Sequence, residues 1–177
     1  MPPLLASRLA LCAMCLVLML GTPSALAART DRTIPRAAAA AGPRQEHAIL
    51  CLINRQRARH GLRRMRANRR LARAAERYAR SMSRRNFFAH RSTGGSTPVS
   101  RARRAGYHPH TLGETLAYGR GHLGTPAGIV EQLMASPPHR SIVLAARVRD
   151  LGVGAARGIP RPGMRGGVTV AAEFARR

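Results

Sequence analysis

The chain has 177 residues and a formal net charge of +24, from 31 basic and 7 acidic residues, with no Trp, three Tyr and three Phe. Every basic residue is Arg, scattered among Ala and Gly, and no basic run alternates with aromatics, so base-stacking platforms are scarce. The balance favours general affinity for polyanions such as nucleic acid, anionic lipid or acidic envelope polymers. A base-reading function is not indicated.

In chain order, Arg8 precedes an apolar run from Leu9 to Leu20, which Gly21, Thr22, Pro23 and Ser24 break before Ala25-Leu26-Ala27. A charged start, short apolar middle and A-x-A end predict a signal peptide over residues 1–27, cleaved before Ala28. Twelve helical residues span roughly 18 Å, short of a ~30 Å hydrocarbon core, so no transmembrane span is expected after cleavage. Cleavage removes Cys12 and Cys15 and leaves Cys51 alone, so no intramolecular disulfide can form. Cys51 lies in an apolar stretch, Ile49 to Ile53, and is expected to be a buried, inert thiol. Residues 28–43 read as a flexible linker and 44–177 as one domain.

Helical periodicity starts near Arg44. Ile49, Leu50, Leu52 and Ile53 form its apolar stripe, Arg55, Gln56, Arg57 and Arg59 are expected to face away, and Gly61 sits at a C-terminal cap position. Asn68 caps a second helix in which Leu71, Ala74, Ala75, Tyr78 and Met82 recur every three or four residues, ending near Asn86. A polar loop spans 91–97. Thr97-Pro98 and Thr125-Pro126 open two further helices, the first ending before Gly106 and the second reaching Met134. Pro137-Pro138 starts another turn towards Leu144. Strands are expected at 112–118, at 151–155 and at 168–174, where Val168, Val170, Ala172 and Phe174 share a face; a loop at 157–166 joins the last two. Helices followed by strands, without βαβ alternation, predict an α+β fold with an antiparallel sheet.

Three segments carry candidate chemistry: Phe87-Phe88-Ala89-His90; Gly113-Glu114-Thr115-Leu116-Ala117-Tyr118-Gly119; and Ser136-Pro137-Pro138-His139-Arg140, followed by Leu151-Gly152-Val153-Gly154. In order and spacing they resemble the CAP superfamily (cysteine-rich secretory, antigen 5 and pathogenesis-related proteins), in its bacterial SCP-like form. Leu52-Ile53-Asn54, Arg57 and Gly61-Leu62 fit that family's first helix, and the likeness covers about residues 46–174. It implies a three-layer α-β-α sandwich with a central antiparallel sheet and a shallow cleft where His90, Glu114 and His139 converge. A second glutamate, found in eukaryotic members, would fall near Ser136 and is absent. Thr115 replaces the usual Asn, Leu133 the usual aromatic and Pro138 the usual Gly.

Two imidazoles and one carboxylate suit a divalent metal such as Zn²⁺, with His90, His139 and Glu114 as ligands and a fourth position open. The same three could perform acid–base catalysis, or could be a hydrogen-bonded cluster that pins the helices. Ser136 lacks a nucleophile elbow. His108 and His110 could grip a metal from a loop; His47, His60 and His122 have no evident partner; Glu131 is expected to pair with a surface Arg, and Tyr118 to pack in the core. The resemblance implies a secreted, monomeric module of the cell envelope or extracellular space that binds a small, lipid-like or envelope ligand. The alternatives are a metal-assisted hydrolase acting through the cleft, and non-specific polyanion binding.

Overall fold

The computed structural model describes residues 41–177; the signal segment and most of the linker fall outside them. Helix α1 (Pro43–Arg59) is followed by β1 (Arg66–Ala67), α2 (Arg69–Arg85), α3 (Pro98–Arg104) and β2 (Thr111–Gly119). A 3₁₀ turn (Gly121–Gly124), α4 (Pro126–Ala135), α5 (Pro137–Val143), β3 (Asp150–Arg157) and β4 (Val168–Arg176) complete it. The sheet runs β1-β3-β4-β2. β4 is antiparallel to both neighbours, and the two-residue β1 lies parallel to β3. The sheet is therefore mixed at one edge, where the sequence predicted only antiparallel pairing. Two residues are too few to show a period of two.

The helix ends follow from local chemistry. After α1, the Leu62 amide bonds the Arg57 carbonyl at 2.9 Å and the Gly61 amide bonds Ala58 at 3.0 Å. That crossed pair needs the left-handed φ of +67° which Gly61 supplies. The Asn68 side chain accepts from the amides of Arg70 and Leu71, and Asn86 closes α2 with φ 55°. Thr97 and Ser100 form a reciprocal capping box at α3, and Thr125 caps α4.

The sheet separates two helical layers. On one side Val168, Val170, Ala172 and Phe174 of β4, with Leu151 and Val153 of β3, pack against Ile49 and Ile53 of α1 and Ile129 and Leu133 of α4. On the other, α2 lies against Leu116, Ala156 and Ala171. A Cβ at Gly152 or Gly154 would run into the α2 backbone at Leu71–Ala72 or Ala75–Glu76. These two glycines let α2 sit directly on the strands.

Two side chains on α1 depart from expectation. Arg57 is fully buried and donates to the carbonyls of Arg63 (3.0 Å), Val143 (2.7 Å) and Ala145 (3.0 Å). It lies four residues beyond Ile53 and eight beyond Ile49, so helical geometry puts it on the buried face. Cys51, two residues from Ile49, projects about 200° round the helix and is exposed. Its Sγ lies 3.5 Å from His47 Nε2.

Candidate functional site

The register of β2 and β4 decides what the cleft contains. Cross-strand partners share a face, and Glu114 stands opposite Glu173, two positions from the Leu116–Ala171 pair that meets α2. Both carboxyls are therefore on the α2 and α3 side and buried. Arg101, 6% exposed, reaches across from α3: its Nη2 donates to Glu114 Oε2, while Nη1 donates to the carbonyls of His90 (3.1 Å) and Ser96 (3.0 Å). The guanidinium stacks over the Tyr78 ring, 3.3 Å from its centroid. The Tyr78 hydroxyl donates to the Ala89 carbonyl, fixing the segment that presents His90.

His90 Nδ1 lies 2.7 Å from Glu114 Oε1. That hydrogen bond raises the His90 pKa above its ordinary 6.5, against the lowering effect of burial. His139 approaches from the other layer. It lies on α5, whose Ile142 packs against Gly113 of β2, and β2 is the edge strand. It makes no hydrogen bond to either partner. Burial, and then the charge of His90, lower its pKa. His90 and Glu114 are thus brought into contact, and His139 faces them across the sheet edge.

Glu173 was not foreseen. No donor reaches either of its carboxyl oxygens among the described residues, and burial followed by the charge of Glu114 pushes its pKa well above the usual carboxylate range. Of the two neighbouring carboxyls, only Glu114 is bonded by Arg101. The signal for Glu173 was in the sequence: Ala171 and Ala175 on its face of β4 are as apolar as the opposite face, the mark of a strand covered on both sides.

The donor set bears on the metal reading. Glu114 directs one oxygen to His90 and the other to Arg101, whose guanidinium brings positive charge to the place a cation would occupy. His90 Nε2 and the His139 ring remain. Among the described residues no three His, Cys, Asp or Glu side chains are grouped closely enough to hold a metal ion as they stand.

The rim differs from expectation at Tyr118. It is half-buried, stacks edge-on against exposed Phe88 with ring centroids 4.8 Å apart, and takes a 3.0 Å hydrogen bond from Arg161 Nε. Phe88 and Tyr118 thus pair at the rim, with exposed His90 two residues beyond Phe88. The other candidates lie elsewhere. Glu131 pairs with His122 at 2.8 Å, not with an Arg. His108 and His110 are exposed, and His60 Nδ1 meets the Gln56 carbonyl at 2.9 Å.

The family model for the cysteine-rich secretory protein (CAP) family matches residues 50–162. The chain belongs to that family. It is 28% identical over 109 residues to YkwD, an uncharacterized protein of Bacillus subtilis, covering 62% of this chain and 41% of that one. The chain thus spans less than half the length of that relative. Its fold is similar to that of an extracellular Bacillus anthracis protein containing an SCP domain (TM-score 0.64, 22% identity, 75% of this chain and 40% of that one). It is also similar to that of an outer surface protein of Borrelia burgdorferi (TM-score 0.62, 18% identity, 76% and 94%). The family match ends at Pro162, before β4, so Glu173 lies outside it.

Proposed function

We propose that this CAP domain is a secreted, non-enzymatic binding module of the cell envelope or extracellular space, taking a small ligand or partner at the lip that carries Phe88, Tyr118 and His90. The observation that carries this reading is the engagement of Glu114 on both oxygens. A general base or metal ligand must be reached by a substrate or ion; this carboxylate is buried beneath Arg101 and His90 and bonds both of them. The exposed face of the cleft offers aromatic edges and one imidazole nitrogen, groups that hold a ligand without transforming it. The signal-like leader and the extracellular or surface descriptions of the structural relatives support an exported location. No helix among the described residues is long and apolar enough to cross a membrane.

The test compares the exported protein with its Phe88→Ala variant by native mass spectrometry after exposure to envelope extract. A bound small molecule that the variant loses is the expected result. Chelator-sensitive turnover of ester or peptide substrates, abolished by Glu114→Gln, would instead establish the hydrolase.

A further inference from the structure

Behind Arg101, away from the aromatic lip, a cavity of about 220 Å³ opens between α2, the 91–97 loop and α3. We propose that it is a binding site for a phosphate monoester, held by Arg77, Arg85 and Arg104 with Arg101 as its floor. The proposal stands whether or not the lip at His90 takes a ligand.

Composition alone would scatter arginines over any surface of this chain, so the argument rests on what surrounds these four. Arg77 and Arg85 lie on one face of α2, eight residues apart, and Arg104 follows Arg101 by one turn of α3. Each acidic side chain among the described residues is engaged or buried elsewhere. Glu46 accepts from the Ala155 amide, Glu76 pairs with Arg80, Glu131 with His122 and Asp150 with Tyr107, while Glu114 and Glu173 lie under Arg101. None lines the cavity, and no carboxylate comes within ion-pair distance of Arg77, Arg85 or Arg104 among those residues. The cavity therefore holds uncompensated positive charge.

Two further features point to a ligand with several acceptor oxygens. The buried Arg101 side chain spends Nη1 and Nη2 on protein acceptors, yet its Nε–H finds none. On the loop side, Ser92 Oγ accepts from the Ser96 amide at 2.9 Å and from Ser96 Oγ at 2.7 Å. With its acceptor capacity filled, the Ser92 hydroxyl hydrogen is free to donate into the cavity. The loop is held by the Ser92 amide on the Ser96 carbonyl (3.0 Å) and the Gly95 amide on Ser92 (2.8 Å), so the donor is preorganised.

Guanidinium and hydroxyl donors thus arrive from three elements. A carboxylate presents two oxygens and one charge, and one bidentate Arg satisfies it. A phosphate monoester carries about −1.5 to −2 charges and three acceptor oxygens, matching donors that converge from several directions. The volume suits a headgroup rather than an extended ligand, whose pockets run from ~300 to ~1,000 Å³.

Calorimetric titration of the full chain with glycerol 3-phosphate at low ionic strength tests the assignment. The pocket variant is Arg77→Ala with Arg104→Ala; the control, Arg63→Ala with Arg64→Ala, removes the same charge from a distant surface loop. Saturable 1:1 binding, weakened at least about tenfold in the pocket variant and less than about twofold in the control, is expected. Equal weakening in both, or no saturable binding by the parent, overturns the proposal. Should the double variant fail to fold, Arg85→Gln at the exposed mouth must show the same selective loss. Co-sedimentation with phosphatidylcholine vesicles containing phosphatidic acid separates the sources. Vesicle binding lost only in the pocket variant identifies a lipid headgroup, and selective loss confined to glycerol 3-phosphate identifies a soluble phosphate monoester.

Discussion

The two faces of the sheet are built on different principles. Towards α1 and α4 the strands present Val, Leu and Phe, and the layer closes mainly by apolar packing, with Arg57 of α1 buried beside it on three carbonyls. Towards α2 and α3 they present Gly, Ala and two glutamates, and the space is closed by a helix backbone, a tyrosine ring and a guanidinium. Stability on the first face comes mainly from non-directional packing. On the second it depends on one cation balancing a carboxyl pair. The arginine-lined cavity opens from this second face, and the cleft lies at its edge, where His139 approaches from the first.

The comparison is broken most severely by removing the cation. Arg101→Met should cost about 3–5 kcal/mol at neutral pH, since it leaves buried carboxylate charge uncompensated. Phe174→Ala, on the apolar face, should cost a similar ~3–5 kcal/mol by opening a cavity. Urea denaturation at pH 5 and pH 8 distinguishes the mechanisms. The Phe174 loss should be the same at both, whereas the Arg101 loss should shrink at the lower pH, where Glu173, whose pKa burial raises, is the more fully protonated. A pH-independent Arg101 loss would mean that its packing on Tyr78, not its charge, closes this face.

A smaller effect is expected where α2 touches the strands. Gly154→Ala should cost about 1–3 kcal/mol by overpacking, because the added methyl meets backbone that cannot rotate away. Gly94→Ala, in the exposed 91–97 loop with open space around its Cβ position and no left-handed φ, meets no such neighbour. A Gly154→Ala variant that melts with the parent would show that α2 can slide on the sheet.

Glu173→Gln sharpens the electrostatic half of the comparison. The folded-state pKa of Glu173 is raised, so its stabilising contribution is complete below the ordinary 4.5 and lost as pH rises through the folded value. The glutamine, which cannot ionise, should melt higher than the parent at alkaline pH and close to it at acid pH. The opposite order would mean that the fold favours Glu173 ionised.

How far the sequence disclosed this arrangement differs between the faces in the same way. The helices and three longer strands were legible because caps such as Asn68, Thr97 and Thr125 and the alternation in β4 are local signals. The apolar face followed from periodicity. The polar face did not, because Arg101 is buried through partners on other elements and a charged residue in a periodic pattern reads as solvent-facing; Arg57, in the α1 layer, reads as solvent-facing for the same reason. Cys51 failed the other way: an apolar neighbourhood in sequence is not a neighbourhood in space when successive residues turn by 100°. His90 and Glu114 were found through motifs, but no motif signalled that Arg101 would occupy the carboxylate.

The smallest expected effect comes from the two histidines at the cleft and tests whether they belong to the polar face or merely border it. His90 has a raised pKa because Glu114 hydrogen-bonds it, so the folded protein binds this proton more tightly than the unfolded chain. Its contribution is full below the unfolded value of 6.5 and is lost as pH rises through the folded one. His139 is lowered by burial and by the charge of His90. The fold therefore resists its protonation, and stability is lost as pH falls from 6.5 through its folded value. The two slopes oppose each other and meet near pH 6.5, giving a shallow maximum in melting temperature. His139→Gln should flatten the acid limb. His90→Gln should flatten part of the alkaline limb, with Glu173 responsible for what remains. Melting curves of both variants from pH 5 to pH 9 in constant ionic strength measure this. If His90→Gln leaves the alkaline limb unchanged, the bond to Glu114 is not coupled to folding, and His90 stands outside the network that Arg101 and the carboxyl pair form beneath it.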